Sequence, residues 1–235
     1  MEIEVFALAH NEEFIMPYLM RHYSQFAKVT ILENNSTDKT VEIAKKMGAK
    51  VIEFNVPDVK SNRWNSEVKN ECWKTSNADW VIVIDADEFI YHPNLVKILR
   101  KTDATIMKST WCEMYSDKIP TGEWQIYDKI NKGIEYSVGN AKLAILRPDR
   151  IEDMNWGVGC HAASPEGDVI YGEEGIKTLH FRHLSIDYVL ERNRYTSKRM
   201  SSEDKMRGWG VQYSFPEERV VSVFNECLKK SVKIL

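Results

Sequence analysis

The feature that most narrows the fold is the run at 80–84, Trp-Val-Ile-Val-Ile, which stops abruptly in Asp85, Asp87 and Glu88. A strand with no polar position has no face for water and must be covered on both sides, as the strands of parallel α/β sheets are. Its acidic end calls for a chemical explanation. Carboxylates taken out of water are costly unless something positive meets them, and ligands of open α/β sheets bind at the carboxyl ends of the strands. Two Asp one residue apart after such a strand suit a hard, oxygen-preferring divalent cation, Mg2+ or Mn2+, with a substrate diphosphate completing its shell. Acidic runs after strands also serve as plain turn material. The apolar strand in front is the context that favours the metal.

The chain before this run alternates strands and helices. Residues 3–9 read as an apolar strand running into His10, Asn11 and Glu12, and 15–26 fit a helix with Pro17 in its first turn. Residues 29–32 are a second strand, followed by a polar turn at 33–38. Asp38 caps a helix whose Val41, Ile43, Ala44 and Met47 make an apolar stripe and which Gly48 stops. Residues 51–54 form a third strand, and 65–75 an amphipathic helix leading to Trp80. This order implies a parallel sheet flanked by helices.

Beyond residue 100 the pattern loosens. Strands are expected at 104–111 and 143–146, with a long stretch between them, rich in Trp and Tyr, that no period organises and that reads as a lid or binding loop. A helix is expected at 186–200. A last one opens with the capping box Ser214…Glu217 and carries Val220, Val221, Phe224, Cys227 and Leu228 on one face.

Composition sets outer limits. With 235 residues the chain is long enough for one large α/β domain, and a net charge of −3 gives it no general attraction for nucleic acid. No long uncharged apolar run suggests a signal peptide or membrane span, so the expected setting is the cytoplasm, at most peripheral at the inner face of a membrane. Cys72, Cys112, Cys160 and Cys227 are dispersed without a Cys-x-x-Cys pair, which argues against a disulfide framework.

Three segments in order, Ala-His-Asn-Glu at 9–12, Glu-Asn-Asn-Ser-Thr-Asp-Lys-Thr at 33–40 and Asp-Ala-Asp-Glu-Phe at 85–89, resemble family-2-type glycosyltransferases of the GT-A fold. The resemblance covers roughly residues 3–100. It implies one GT-A domain over 1–235, with a nucleotide-sugar-binding half (1–100), an acceptor-binding half (101–213) and a C-terminal helix (214–235). It implies transfer of one sugar from a nucleotide-sugar donor, a UDP-sugar first, to a glycan, lipid-linked glycan or other hydroxyl acceptor, with inversion and with Mn2+ or Mg2+.

Carried over residue by residue, the resemblance assigns Ala9, Asn11 and Glu12 to one edge of the nucleotide, and Glu33, Asn35 and Asp38 to the other. A helix cap explains Asp38 as well as ligand contact does. Asp87 becomes the direct metal ligand, with Asp85 and Ala86 at the ribose or metal. Lys69 is the candidate for the diphosphate or base, against a plain solvated lysine. His180 is expected to complete the metal shell, with Arg182 on the same side of a short strand clamping phosphate and His183 on the opposite face. Glu113, Asp153, Glu173 and Glu174 are available as the base that takes the acceptor proton. The Glu152-Asp153 pair, similar to the family's Glu-Asp, singles out Asp153, against a solvated charged loop. His161 lines the acceptor pocket or is structural, and a zinc set of Cys160, His161, His180 and His183 lacks a recognised spacing. The absence of a Gln-x-x-Arg-Trp segment argues against processive synthesis. Two rival classes remain, a catalytically silent nucleotide-sugar-binding module and a haloacid-dehalogenase-type phosphatase. Phe89 and the late position of the motif count against the second.

Overall fold

In the computed structural model, which describes residues 1–54, 60–136, 142–160 and 162–235, the first part of the chain follows the alternation. β1 (Ile3–Ala9), α1 (Met16–Tyr23), β2 (Lys28–Glu33), α2 (Thr40–Lys46), β3 (Lys50–Glu53), α3 (Asn62–Glu71) and β4 (Trp80–Asp85) come in the expected order. β3, β2, β1 and β4 lie side by side and parallel, with Leu8 of β1 paired to Leu32 on one flank and to Asp85 on the other. The carboxyl ends of three strands therefore reach one edge of the sheet.

β4 is buried from Trp80 to Ile84, and its residues alternate between two apolar layers. Ile82 and Ile84 join Val5, Ile31, Leu19 and Tyr23 on one side, while Val81 and Val83 join Phe6, Leu8, Trp73 and Trp156 on the other. Each fully buried aliphatic side chain of this kind stabilises the fold by roughly 1.5–3 kcal/mol. This two-sided cover is what the unbroken apolar run implies.

The second part of the chain extends the same sheet. After Ala86 and Asp87 come β5 (Glu88–Tyr91), α4 (Leu95–Lys101), β6 (Ile106–Tyr115), α5 (Ile126–Lys129), β7 (Lys132–Tyr136), β8 (Lys142–Leu146), β9 (Ile151–Asp153), β10 (Glu166–Gly167) and β11 (Tyr171–His183). The helices α6 (Ile186–Arg199), α7 (Ser202–Arg207) and α8 (Glu217–Lys230) and a short β12 (Val232–Lys233) end it. β8 and β6 continue the sheet past β4 in antiparallel pairing, and β7 and β12 follow. β11 runs antiparallel to β5 and parallel to β6.

Two local expectations are corrected. The capping box of the last helix does not form. Pro216 is the N-cap of α8 without a side-chain bond, and Ser214, caught in a 3-10 turn over Val211–Ser214, pairs its hydroxyl with Ser197 at 3.1 Å. The helix expected at 65–75 begins earlier, at Asn62, where the Ser61 hydroxyl accepts the Trp64 amide at 3.4 Å. No helix among the described residues is long and apolar enough to cross a membrane.

Candidate active site

A cleft of about 1070 Å3 opens at the carboxyl ends of β1 and β4, and β11 crosses to its floor. The register of β11 builds the centre. His180 is the Cα partner of Glu88 on β5 and of Glu113 on β6, and partners in register share a face of the sheet. The turn between β4 and β5 is fixed by the Phe181 amide, which donates to the Asp87 carbonyl at 2.8 Å. His180 Nδ1 then lies 2.9 Å from a Glu113 oxygen, and Nε2 lies 3.5 Å from Asp87.

These groups suit a cation. One ligand atom each from Asp87, Glu88 and His180 falls within 4.8 Å of the others, two oxygens and a nitrogen. Burial alone would raise the carboxyl of Asp87, but His180 and Arg192 outweigh it and hold the group ionised well below the usual carboxylate range. Burial alone would lower His180, yet Glu113 and Asp87 outweigh it and hold the imidazole protonated well above its ordinary value. Two carboxylates that favour a proton on this ring will favour a divalent cation in its place, and such binding releases the proton. Glu88 is less available, because its carboxylate is paired with the buried Lys142.

Asp85 sits over a pair of lysines. Its side chain is 38% exposed toward the cleft, while Lys69 beneath it, at 2.6 Å, is 4% exposed and Lys142, at 3.5 Å, is 3% exposed. Burial is outweighed here by the two ammonium groups, which hold the Asp85 carboxyl far below its ordinary value. Lys69 is thus not a solvated lysine: it lines the cleft from beneath Asp85, with its ammonium paired to that carboxylate.

The nucleotide edge expected at β1 lines the same cleft. Asn11 adopts a left-handed backbone with φ of 50°, which asparagine tolerates better than most residues. Its side-chain amide donates to the hydroxyls of Thr37, at 3.2 Å, and of Tyr195, at 2.8 Å. Glu12 is clamped by Arg192 through two bonds of 2.6 Å. Ala9, Asp38, Ala86 and Arg182 also line the cleft. Asp38 stands ahead of α2 and accepts the Thr40 amide at 2.9 Å and the Glu13 amide at 3.1 Å. Arg182 donates to Asn193 at 3.0 Å and lies 4.7 Å from the centre of the Tyr213 ring.

Other expected residues stand apart. Glu33 ends β2 buried and accepts the Ser36 amide, and neither it nor Asn35, with φ of 54°, is part of the cleft lining. Asp153 is also outside the lining. It is 2.7 Å from Lys74 and accepts the Asn155 amide, which turns its carboxylate to the chain just after α3 and to its own loop. His161 lies outside the described residues, and the metal-binding group found among them takes in no cysteine. His183 is not on the opposite face: a register shift after His180 turns it into the cleft, 3.4 Å from Glu113 and stacked on Tyr115 at 4.5 Å.

Lys142, Arg192 and Tyr195 were not anticipated. Lys142 carries a signal in hindsight, since it heads the apolar run Leu-Ala-Ile-Leu, where a charge needs a partner. The position of Arg192 on a polar helix carries none.

Among solved structures, the chain resembles glucosyl-3-phosphoglycerate synthase from Mycobacterium tuberculosis in complex with Mn2+, UDP and glucosyl-3-phosphoglycerate. Identity is 24% over 47% of this chain and 44% of that one, with a TM-score of 0.34. The same enzyme with Mg2+ and UDP gives 24% over 47% and 43%, with a TM-score of 0.37, and a further mycobacterial protein gives 21% over 48% and 41%, with a TM-score of 0.34. The chain spans less than half the length of these structures. No curated protein matches it. The curled α/β sheet with its acidic motif at the end of β4 is a GT-A fold. The model of glycosyl transferase family 2 matches residues 9–160, more than half of the sequence, and the chain belongs to that family.

Proposed function

We propose that the protein is a metal-dependent glycosyltransferase that moves one sugar from a nucleoside-diphosphate sugar, a UDP-sugar first, to a hydroxyl of a glycan or other acceptor, with inversion and without processive elongation. The observation that carries the reading is the convergence of Asp87 and His180, from separate parts of the chain, in the cleft that Asn11 and Glu12 also line. Asp87 and His180 hold the cation, and the mixed oxygen and nitrogen donors favour Mn2+ over Mg2+. When bound, the cation supplies Lewis-acid stabilisation of the charge that grows on the departing diphosphate. Ala9, Asn11 and Glu12 face the base and ribose, Asp85 and Ala86 flank the ribose, and Arg182 meets the diphosphate. The left-handed Asn35, with Glu33 and Asp38, shapes the turn that borders this edge. Lys69 and Lys142 keep Asp85 ionised and in place, which gives Lys69 an indirect part in donor binding.

Calorimetric titration with UDP and a panel of UDP-sugars, in Mn2+ and in excess chelator, tests the reading. At least a tenfold loss of affinity in chelator is expected. Equal affinity in both would show that nucleotide binding does not depend on a metal, and release of free UDP with an acceptor library separates an enzyme from a silent binding module.

A further inference from the structure

We propose that Glu113 is a positioning residue for the cation, holding the His180 ring so that Nε2 rather than Nδ1 faces the metal position beside Asp87. The inference rests on the metal reading above and adds to it a residue that never touches the metal. Three observations carry it. The first is backbone register: Glu113 and His180 are direct partners in the ladder of β6 and β11, so the sheet itself sets the carboxylate beside the ring. The second is the geometry of the two nitrogens, with Nδ1 2.9 Å from Glu113 and Nε2 turned to Asp87 at 3.5 Å.

The third is that Glu113 is itself held. Trp111 Nε1 donates to one oxygen at 2.9 Å, and the Trp111 ring lies 4.8 Å from the His180 ring, so one residue restrains both partners. The other oxygen receives His180, with His183 Nε2 at 3.4 Å and the His183 ring stacked on Tyr115. A carboxylate with both oxygens committed to N–H donors is a poor acceptor for a substrate proton and a good fixture. Burial would raise its carboxyl, but His180 and His183 outweigh it and keep it ionised. A ligating imidazole gains orientation and basicity from a carboxylate on its other nitrogen, and loss of such a partner typically costs about 10–100-fold in metal affinity.

The test is Mn2+ binding to the full chain in the presence of UDP, read by calorimetry and by the electron paramagnetic resonance of free Mn2+, with no turnover required. Glu113→Ala should weaken Mn2+ by about 10–100-fold, and Glu113→Gln, which keeps an acceptor oxygen without the charge, by about three- to tenfold. In a His180→Ala background the same changes should add less than about twofold, because the group they position is gone. A Glu113→Ala chain that binds Mn2+ like the wild type overturns the inference, as does a loss of equal size with His180 absent. Should Glu113→Ala not fold, Glu113→Gln decides: a loss that disappears in the His180→Ala background supports the proposal, and no loss overturns it. A wild type that binds no Mn2+ overturns the metal reading itself, which the variant results alone would not.

Discussion

The apolar layer around α1 and the charged cleft around β11 treat one side chain, a histidine withdrawn from bulk water, in opposite ways. His22 lies among the rings of Tyr23, Phe26, Phe89 and Tyr127, with Nε2 2.9 Å from the Ile90 carbonyl, and burial lowers its pKa to about 4. His180 is 14% exposed at the cleft and lies between two carboxylates, and it is driven the other way. Partner charge, not depth, decides the protonation state. The same contrast runs through the whole molecule. The first part of the chain places carboxylates at strand ends, and the second part supplies most of their cations: Lys142 for Glu88, Arg192 for Glu12 and His180 for Asp87. Neither part makes the site alone.

The largest effect should come from removing one of those cations. Lys142→Met leaves Glu88, 2% exposed, without its partner and takes one of two lysines from Asp85. Breaking a buried pair on one side costs about 3–5 kcal/mol. Urea unfolding at neutral pH should show a loss on that scale, and a loss below about 1 kcal/mol would mean that Lys69 alone holds both carboxylates or that Glu88, whose pKa burial already raises, takes up a proton.

The two histidines should separate in a pH series of the metal-free protein. The folded pKa of His22 is depressed from 6.5 to about 4, so its contribution is full above 6.5 and is lost as pH falls toward 4. At 1.36 kcal/mol per unit, that is about 3 kcal/mol. His180 is raised, so its contribution is full below 6.5 and fades only as pH climbs through its folded value. Replacing His22 by Gln should therefore flatten the fall in stability between pH 6.5 and 4, as read from unfolding midpoints. An unchanged slope would assign that fall to other groups.

The contrast also explains what the sequence made legible. β1, β2 and β4 are local: each apolar run reports its own burial, while the edge strand β3 leaves Ile52 38% exposed, and Asp85 and Asp87 are marked by the strand in front of them. β5 escaped because Phe89, Ile90 and Tyr91 are too few to show a period next to an acidic turn. His180 was accessible through the resemblance to the family. Its partnership with Glu113 depends on the pairing of two strands 67 residues apart, and the position of His183 on a register shift that alternation cannot foresee. Arg192 lies 180 residues from Glu12, and nothing in its neighbourhood distinguishes it from the other charges of α6.

Asp87→Asn tests the meeting of the two regions directly. The amide keeps the volume and weakens a ligand, so transfer should fall by at least about a hundredfold, the scale of losing a key electrostatic stabiliser, while the protein still folds but with a lowered unfolding midpoint, because His180 and Arg192 lose the carboxylate they hold ionised. The readout is UDP release under saturating donor and Mn2+. Near-normal turnover would put the cation elsewhere in the cleft.

Asp153→Asn should do least, and it tests the boundary of the site. The sequence singles out Asp153 as the proton acceptor by its resemblance to the family's Glu-Asp pair, but the side chain ends 2.7 Å from Lys74 and takes the Asn155 amide, outside the cleft lining. Lys74 and Asp153 are each 28% exposed, so the pair is a partly screened surface bridge worth about 1 kcal/mol or less. Asparagine keeps one oxygen, which can accept either the Asn155 amide or Lys74 but not both, since the two donors use different carboxylate oxygens. Turnover within about twofold of wild type is expected, with a stability change under about 1 kcal/mol. A hundredfold loss of turnover with unchanged donor binding would place Asp153 at the acceptor hydroxyl after all, and would require that its bridge to Lys74 break before transfer.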